Sequence, residues 1–378
     1  MIKNTLAAMA MASAVLLASC NDSQVKPSEK SDSSDLDQMA LDMTTFLKEG
    51  NNLEATTALI KTQPVGVKLS EVISKVTPKS SEVGARLSES ANFYDEQLKG
   101  EAPEEVTIPE LWLHEPNGVA VNAENVLVAY PPAGDETEWT KVRAYTLQGE
   151  VVYLDAKQEP NVPVIVLEKH GFEAFKVEVS FMNKKLQEAG LQKNLPQFNK
   201  TARTAADGAE TTILDKIRLN DDQEPWISGA AEVYAVTSGI RNADKDAEVA
   251  VIPMYYLDKE DKDYYPNQIM LFWDDYAYQA ANIQLFEKDD NHNYQDLVSI
   301  LISELSKLAG TISGQPWITA VGTIGSAIVE ALPDSFWTND DDYVDSFYTI
   351  EKNKTYTNYY GAGGNAKVNL RPYFIPAN

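Results

Sequence analysis

At 378 residues, with 43% apolar and 9% aromatic side chains, the chain is long enough for two or three domains with real cores, which excludes a disordered polypeptide. A formal net charge of −25 and a sequence pI near 4.5 argue against nucleic acid or an anionic membrane surface as direct partner, because both are polyanions. Cations and basic partners remain open.

Lys3 is followed by the apolar run Leu6–Leu17 and then by Leu17-Ala18-Ser19-Cys20. The run is shorter than the roughly 20 residues a membrane span needs, so residues 1–19 read as a secretory signal. The final four residues resemble a bacterial lipobox. That resemblance implies cleavage before Cys20, diacylglyceryl attachment to its thiol, acylation (palmitate) of the new amine, and stable lipid anchoring. Asn21 in place of Asp implies sorting to the outer membrane, on its periplasmic or surface face. Cys20 is the sole cysteine, so no disulfide can form within the chain.

Residues 20–34 are polar and read as a solvated tether. Ser34 is a candidate N-cap for a helix in which Leu36, Met39, Ala40, Met43, Phe46 and Leu47 share a stripe up to Gly50. Further helical spacing at Leu53–Lys61, Ser70–Val76 and Ser81–Leu98 makes residues 35–104 a helical region. From 105 to 182 the pattern changes to short β-prone runs, Val126–Tyr130, Lys141–Tyr145, Glu150–Leu154, Val162–Leu167 and Lys176–Phe181, separated by turn signals such as Gln148-Gly149. This predicts a small antiparallel all-β domain. Residues 183–210 read as a linker, and 211–378 as a second β unit with strands at Thr211–Leu219, Ala231–Thr237 and Val249–Leu257, Pro253 marking an edge or bulge. The predicted class is therefore α+β and multidomain. An inserted helical hairpin is expected at residues 297–337, with one stripe on Leu297, Ile300, Leu301, Leu305 and Leu308 and another on Trp317, Val321, Ile324, Ile328 and Leu332.

The most informative stretch is Asn267–Asp290 with its continuation at Asn339–Glu351. Alternating residues from Gln268 to Trp273 and from Asn282 to Phe286 predict two strands. Glu287, Asp289 and Asp290 follow the second, and Asp340, Asp341, Asp342 and Asp345 lead into a third. If these strands are sheet neighbours, the two acidic groups share one rim. Crowded carboxylates repel unless a cation neutralises them, and hard oxygen ligands suit calcium.

Leu127–Glu168, Glu224–Val236, Pro266–Asp290, Asp340–Glu351 and Gly361–Leu370 resemble a bacterial secreted family catalogued only as a domain of unknown function (DUF3103-like), which supplies no reaction and no catalytic residue. The third region separately resembles the calcium loops of C2 domains. Position by position, that resemblance implies Glu287 and Asp289 as the first acid pair, Asp341 or Asp342 as the later acid, and Asp244 and Asp246 from the opposite loop of a C2-like β-sandwich. Asp296 competes for the later role.

The chain's three histidines, His114, His170 and His292, are too far apart in sequence to form a zinc motif. No nucleophile elbow, P-loop or dinucleotide fingerprint occurs. Asp274 and Asp275 are adjacent, so on a strand they would point to opposite faces rather than form a glycosidase pair. These readings converge on a lipid-anchored envelope protein, leaning non-enzymatic, whose acidic rim binds calcium and presents loops to a protein or glycan partner. The rivals are a secreted hydrolase using the same rim and a membrane-active protein using the hairpin.

Overall fold

The computed structural model describes residues 27–76, 81–97, 106–134, 136–194, 208–220, 225–229, 232–257, 259–288, 294–312, 314–332 and 343–376. These form helices α1 (Pro27–Leu47), α2 (Asn52–Thr62), α3 (Leu69–Val76), α4 (Glu82–Gln97), α5 (Phe172–Glu188), α6 (Tyr294–Thr311) and α7 (Trp317–Glu330). The first six strands are β1 (Val67–Lys68), β2 (Glu110–His114), β3 (Leu127–Ala129), β4 (Lys141–Thr146), β5 (Val151–Asp155) and β6 (Val164–Glu168). They are followed by β7 (Ala209–Leu219), β8 (Tyr234–Ile240), β9 (Ala247–Pro253), β10 (Gln268–Phe272), β11 (Ala280–Phe286), β12 (Tyr343–Glu351), β13 (Tyr356–Tyr360) and β14 (Ala366–Ile375). The chain is an α+β protein.

The first sheet runs β1-β2-β6-β3-β4-β5, with β3 and β6 parallel and the other pairs antiparallel, so the expected purely antiparallel domain is mixed. Its strand β1 comes from within the helical region. Helices α1 to α4 cover one face, where Met43, Phe46, Leu69 and Leu87 pack on Val128, Tyr145, Ile165 and Leu167. The helical region and the β-strands that follow it therefore share one core. Helix α1 starts at Pro27, earlier than a cap at Ser34 would give, and proline suits a first helical position because its missing N–H needs no partner there. It is fastened by Asp37, whose carboxylate accepts hydrogen bonds from the hydroxyls of Tyr130 (2.6 Å) and Tyr145 (2.5 Å).

The expected strand at Lys176–Phe181 lies inside α5 instead. Ala174, Phe175, Glu178, Val179, Met182 and Leu186 are buried at three- and four-residue steps, and that helical stripe overrides the short alternation of Val177, Val179 and Phe181.

Two four-stranded antiparallel sheets, β10-β7-β14-β13 and β12-β11-β8-β9, enclose a common core built from Leu214, Ile217, Val368 and Leu370 on one side and Ala235, Ile283, Leu285 and Phe347 on the other. The second of these sheets is buried on both faces. Its outer face, with Val236, Val249, Val251 and Phe286, packs under α5, α6 and α7. Hence the hairpin stripes on Leu297, Leu301, Leu305, Val321, Ile324 and Ile328 are buried against the protein itself, each worth roughly 1.5–3 kcal/mol removed from water. Among the described residues, no helix is long and apolar enough to cross a membrane.

The polar residues Asn282 and Gln284 alternate with Ile283 and Leu285, a pattern that ordinarily marks a solvent face. They are fully buried under α7 instead. Asn282 Nδ2 donates to Val321 O (2.9 Å) and Gln284 Nε2 to Gly325 O (2.8 Å). A Cβ at Gly325 would lie 2.7 Å from Asn282 Nδ2, so glycine permits this close approach of helix to sheet.

Candidate functional site: the acidic rim and the buried carboxyl pair

Strands β11 and β12 are antiparallel neighbours with Phe286 opposite Tyr343. The chain leaving β11 and the chain entering β12 therefore lie side by side at one end of the sheet. Asp289, Asp290, Asp341 and Asp342, with Asp340 and His292, lie outside the described residues. The flanking acids are turned inward. Glu287 is 2% exposed. Its neighbour Lys288 reaches into the body, donating from Nζ to His170 O (2.6 Å) and lying 3.5 Å from Glu178.

Asp345 is also fully buried. Its carboxylate accepts backbone hydrogen bonds from Ser346 (2.8 Å), Gly363 (2.7 Å) and Ala366 (2.7 Å). Three N–H donors take three of its roughly four lone-pair positions, so this buried acid anchors a turn rather than contributing to a rim.

Asp244 and Asp246 lie in the β8–β9 hairpin, which begins after Ile240 opposite Ala247. Glu287 follows Phe286, which is opposite Tyr234 at the other end of β8. The two sites are thus separated by the length of a strand, roughly 20 Å at 3.3 Å per residue. One ion cannot bind both. Asp246 accepts from Asn242 Nδ2 (2.9 Å) and lies 3.4 Å from Arg241, while Asp244 is exposed. Between them Lys245 is buried and its ammonium donates to Ile312 O (3.0 Å) and to Gln315 O, pinning the α6–α7 connection to the sheet. Among the described residues there is no group of three or more potential metal ligands.

Asp296 lies in the first turn of α6, where a negative charge suits the helix dipole. Asp274 and Asp275 occupy a 3-10 turn rather than a strand, and Asp275 accepts from Asn194 Nδ2 (2.8 Å). His114 is paired through Nε2 with Pro160 O (2.8 Å) and sits edge-on to Trp226.

Among the described residues, two carboxyl groups are raised well above the ordinary range, and both lie elsewhere. Register places Glu110 of β2 directly opposite Glu168 of β6, and both are buried. Oε1 of each side chain converges on the same small space beside Gly171, and two carboxyl groups placed so close are relieved when one of them holds a proton. Burial pushes Glu110 up to about 7, even though the backbone N–H of Glu173, in the first turn of α5, donates to its Oε2 at 2.7 Å. The site depends on glycine. A Cβ at Gly171 would lie 2.3 Å from Oε1 of both Glu110 and Glu168, and one at Gly66 would lie 2.6 Å from Glu110 Oε1. Glu248 is likewise pushed up to about 7 by burial, with Lys193 N donating to its Oε1 at 2.7 Å. Nothing local in the sequence marks Glu110 as different from the chain's many other acids. Its partner, Glu168, is supplied by strand pairing from a distant part of the chain.

A family model described as "Protein of unknown function (DUF3103)" matches residues 38–378. The chain belongs to that family. No curated protein and no solved structure gives a match. In this DUF3103 member the matched span takes in α2 to α7, β1 to β14, the carboxyl pair and both ends of the β11-containing sheet.

Proposed function

We propose that this DUF3103 protein is a lipid-anchored component of the bacterial envelope, held at the outer membrane through Cys20, which lies outside the described residues. Its C-terminal, C2-like region is a non-enzymatic binding module for a protein or glycan partner. Calcium is held between the stretch that follows β11 and the stretch that precedes β12. The observation that supports this reading is the pairing of Phe286 with Tyr343, which joins the sequence leading to Asp289 and Asp290 to the sequence arriving from Asp341 and Asp342. Four carboxylates on two adjacent segments are the oxygen-rich donor set that calcium favours, since it takes six to eight oxygen ligands in flexible geometry. Asp345, buried and held by three backbone donors, and the distant Asp244 and Asp246 do not belong to this set.

Calorimetry and thermal unfolding of the full chain with added calcium test the proposal. Calcium is expected to release heat and raise the melting temperature. The pair Asp289→Ala plus Asp342→Ala should remove both effects, and Asp244→Ala plus Asp246→Ala should leave them. Absence of heat and of any melting shift in the unmodified chain overturns the calcium reading.

A further inference from the structure

The six-stranded sheet ends in β5, and this edge is unlike the others. Among the described edge strands, β1 has two residues, β10, β12 and β13 carry register breaks, and β9 terminates in Pro253. Short length, bulges and proline are the means by which proteins keep a sheet edge from pairing further. Strand β5 has none of them. Its pairing with β4 is regular over all five residues, Val151 to Asp155, and contains no proline.

The hydrogen-bond phase decides which backbone groups are free. Thr146 N donates to Glu150 O (2.9 Å) and Ala156 N to Thr140 O (3.3 Å). With Ala144 opposite Val152 and Val142 opposite Leu154, the even-numbered residues of β5 exchange bonds with β4. The N–H and C=O groups of Val151 and Tyr153 therefore point away from the sheet. Their side chains are exposed as well, Val151 at 43% and Tyr153 at 63%. Unpaired backbone flanked by exposed β-branched and aromatic side chains is a template for another strand.

We propose that β5 pairs with β5 of a second copy of this chain, antiparallel about a twofold axis at Val152. In that register Val151 of each copy exchanges backbone hydrogen bonds with Tyr153 of the other, and Val152 faces Val152. Cross-strand aromatic and β-branched neighbours are favourable sheet pairs. Glu150 then meets Leu154, so no like charges oppose one another, and the pairing stops short of Asp155, whose outward carbonyl accepts from Trp226 Nε1 (2.9 Å). Charge also selects this edge for self-association. Two copies at −25 repel overall, whereas the β4–β5 hairpin, residues 141–155, is neutral, with Lys141 and Arg143 against Glu150 and Asp155. The pairing is isologous and closes at two copies.

The test uses the full chain carrying Val152→Cys. Cysteines at a directly opposed, non-hydrogen-bonded pair lie close enough to bridge, so mild oxidation with diamide is expected to give a disulfide-linked species of twice the chain mass. Val151→Cys should give far less, and the unmodified chain, whose sole cysteine is Cys20, sets the background that Val152→Cys must exceed. Adding Tyr153→Pro should abolish the cross-link. Proline at that position removes only an outward N–H, so the monomer's melting temperature should change little. Tyr153→Lys gives a second disruption without altering the backbone. A Val152→Cys chain that stays uncross-linked and sediments as a monomer overturns the proposal, as does a cross-link that persists with both Tyr153 variants.

Discussion

The Asp345 carboxylate fills the space into which a side chain at Gly361 would project: a Cβ there would lie 2.1 Å from Asp345 Cγ and 2.2 Å from Oδ1. The acid at the head of β12 and the glycine turn between β13 and β14 are thus one structural unit, closed by the N–H groups of Gly363 and Ala366. Gly361→Ala is expected to destabilise the chain by about 1–3 kcal/mol, as overpacking does. Asp345→Ala orphans three buried or half-buried donors and should cost more, each being worth about 1–3 kcal/mol. Denaturant unfolding checks both. The same losses with and without calcium would confirm that Asp345 serves the turn and not an ion.

The Glu110–Glu168 pair gives stability a pH dependence of defined sign. Glu110 is raised from 4.5 to about 7 in the folded chain, so between those values the folded state keeps its proton while the unfolded state has lost it. The contribution of Glu110 to stability is then fully present below pH 4.5, is lost as pH rises from 4.5 to 7, and is level above. The full effect is roughly 3 kcal/mol, since each tenfold change in proton affinity is worth about 1.4 kcal/mol. Glu248 acts in the same direction. Glu110→Gln, which is neutral at every pH, should flatten the profile relative to the unmodified chain in denaturant titrations between pH 5 and 8. An unchanged slope would show that Glu110 does not carry the proton.

The helical hairpin is held at two points that can be loosened separately. Lys245→Met removes the ammonium that serves the Ile312 and Gln315 carbonyls, at a cost of about 1–3 kcal/mol for the groups left unsatisfied. Gly325→Ala drives a methyl onto Asn282 and Tyr348, at 2.7 and 3.2 Å, and should cost a similar amount. Hydrogen exchange should report faster opening of α6 and α7 in both variants while β7 and β14, on the far sheet, keep their protection. Uniform loss of protection across both sheets would contradict this.

Sequence alone determined what depends on neighbours along the chain. The stripes of α1, α4, α6 and α7 and the alternation of β10 and β11 are local patterns, and each of these elements lies on its pattern, while Pro253, read as marking an edge or a bulge, ends an edge strand. Belonging to the DUF3103 family was legible for the same reason, being carried by linear segments. Only the tertiary structure decided the fate of the charges and amides. Asn282 and Gln284 read as a solvent face until α7 covers them; Asp244 and Asp246 read as partners of Glu287 until the register of β8 sets them a strand's length apart; Glu110 reads as ordinary until β6 brings Glu168 opposite and α5 seals both from water. A carboxylate's chemistry is set by its solvation and by the charges within a few ångströms, and those neighbours come from distant points in the chain.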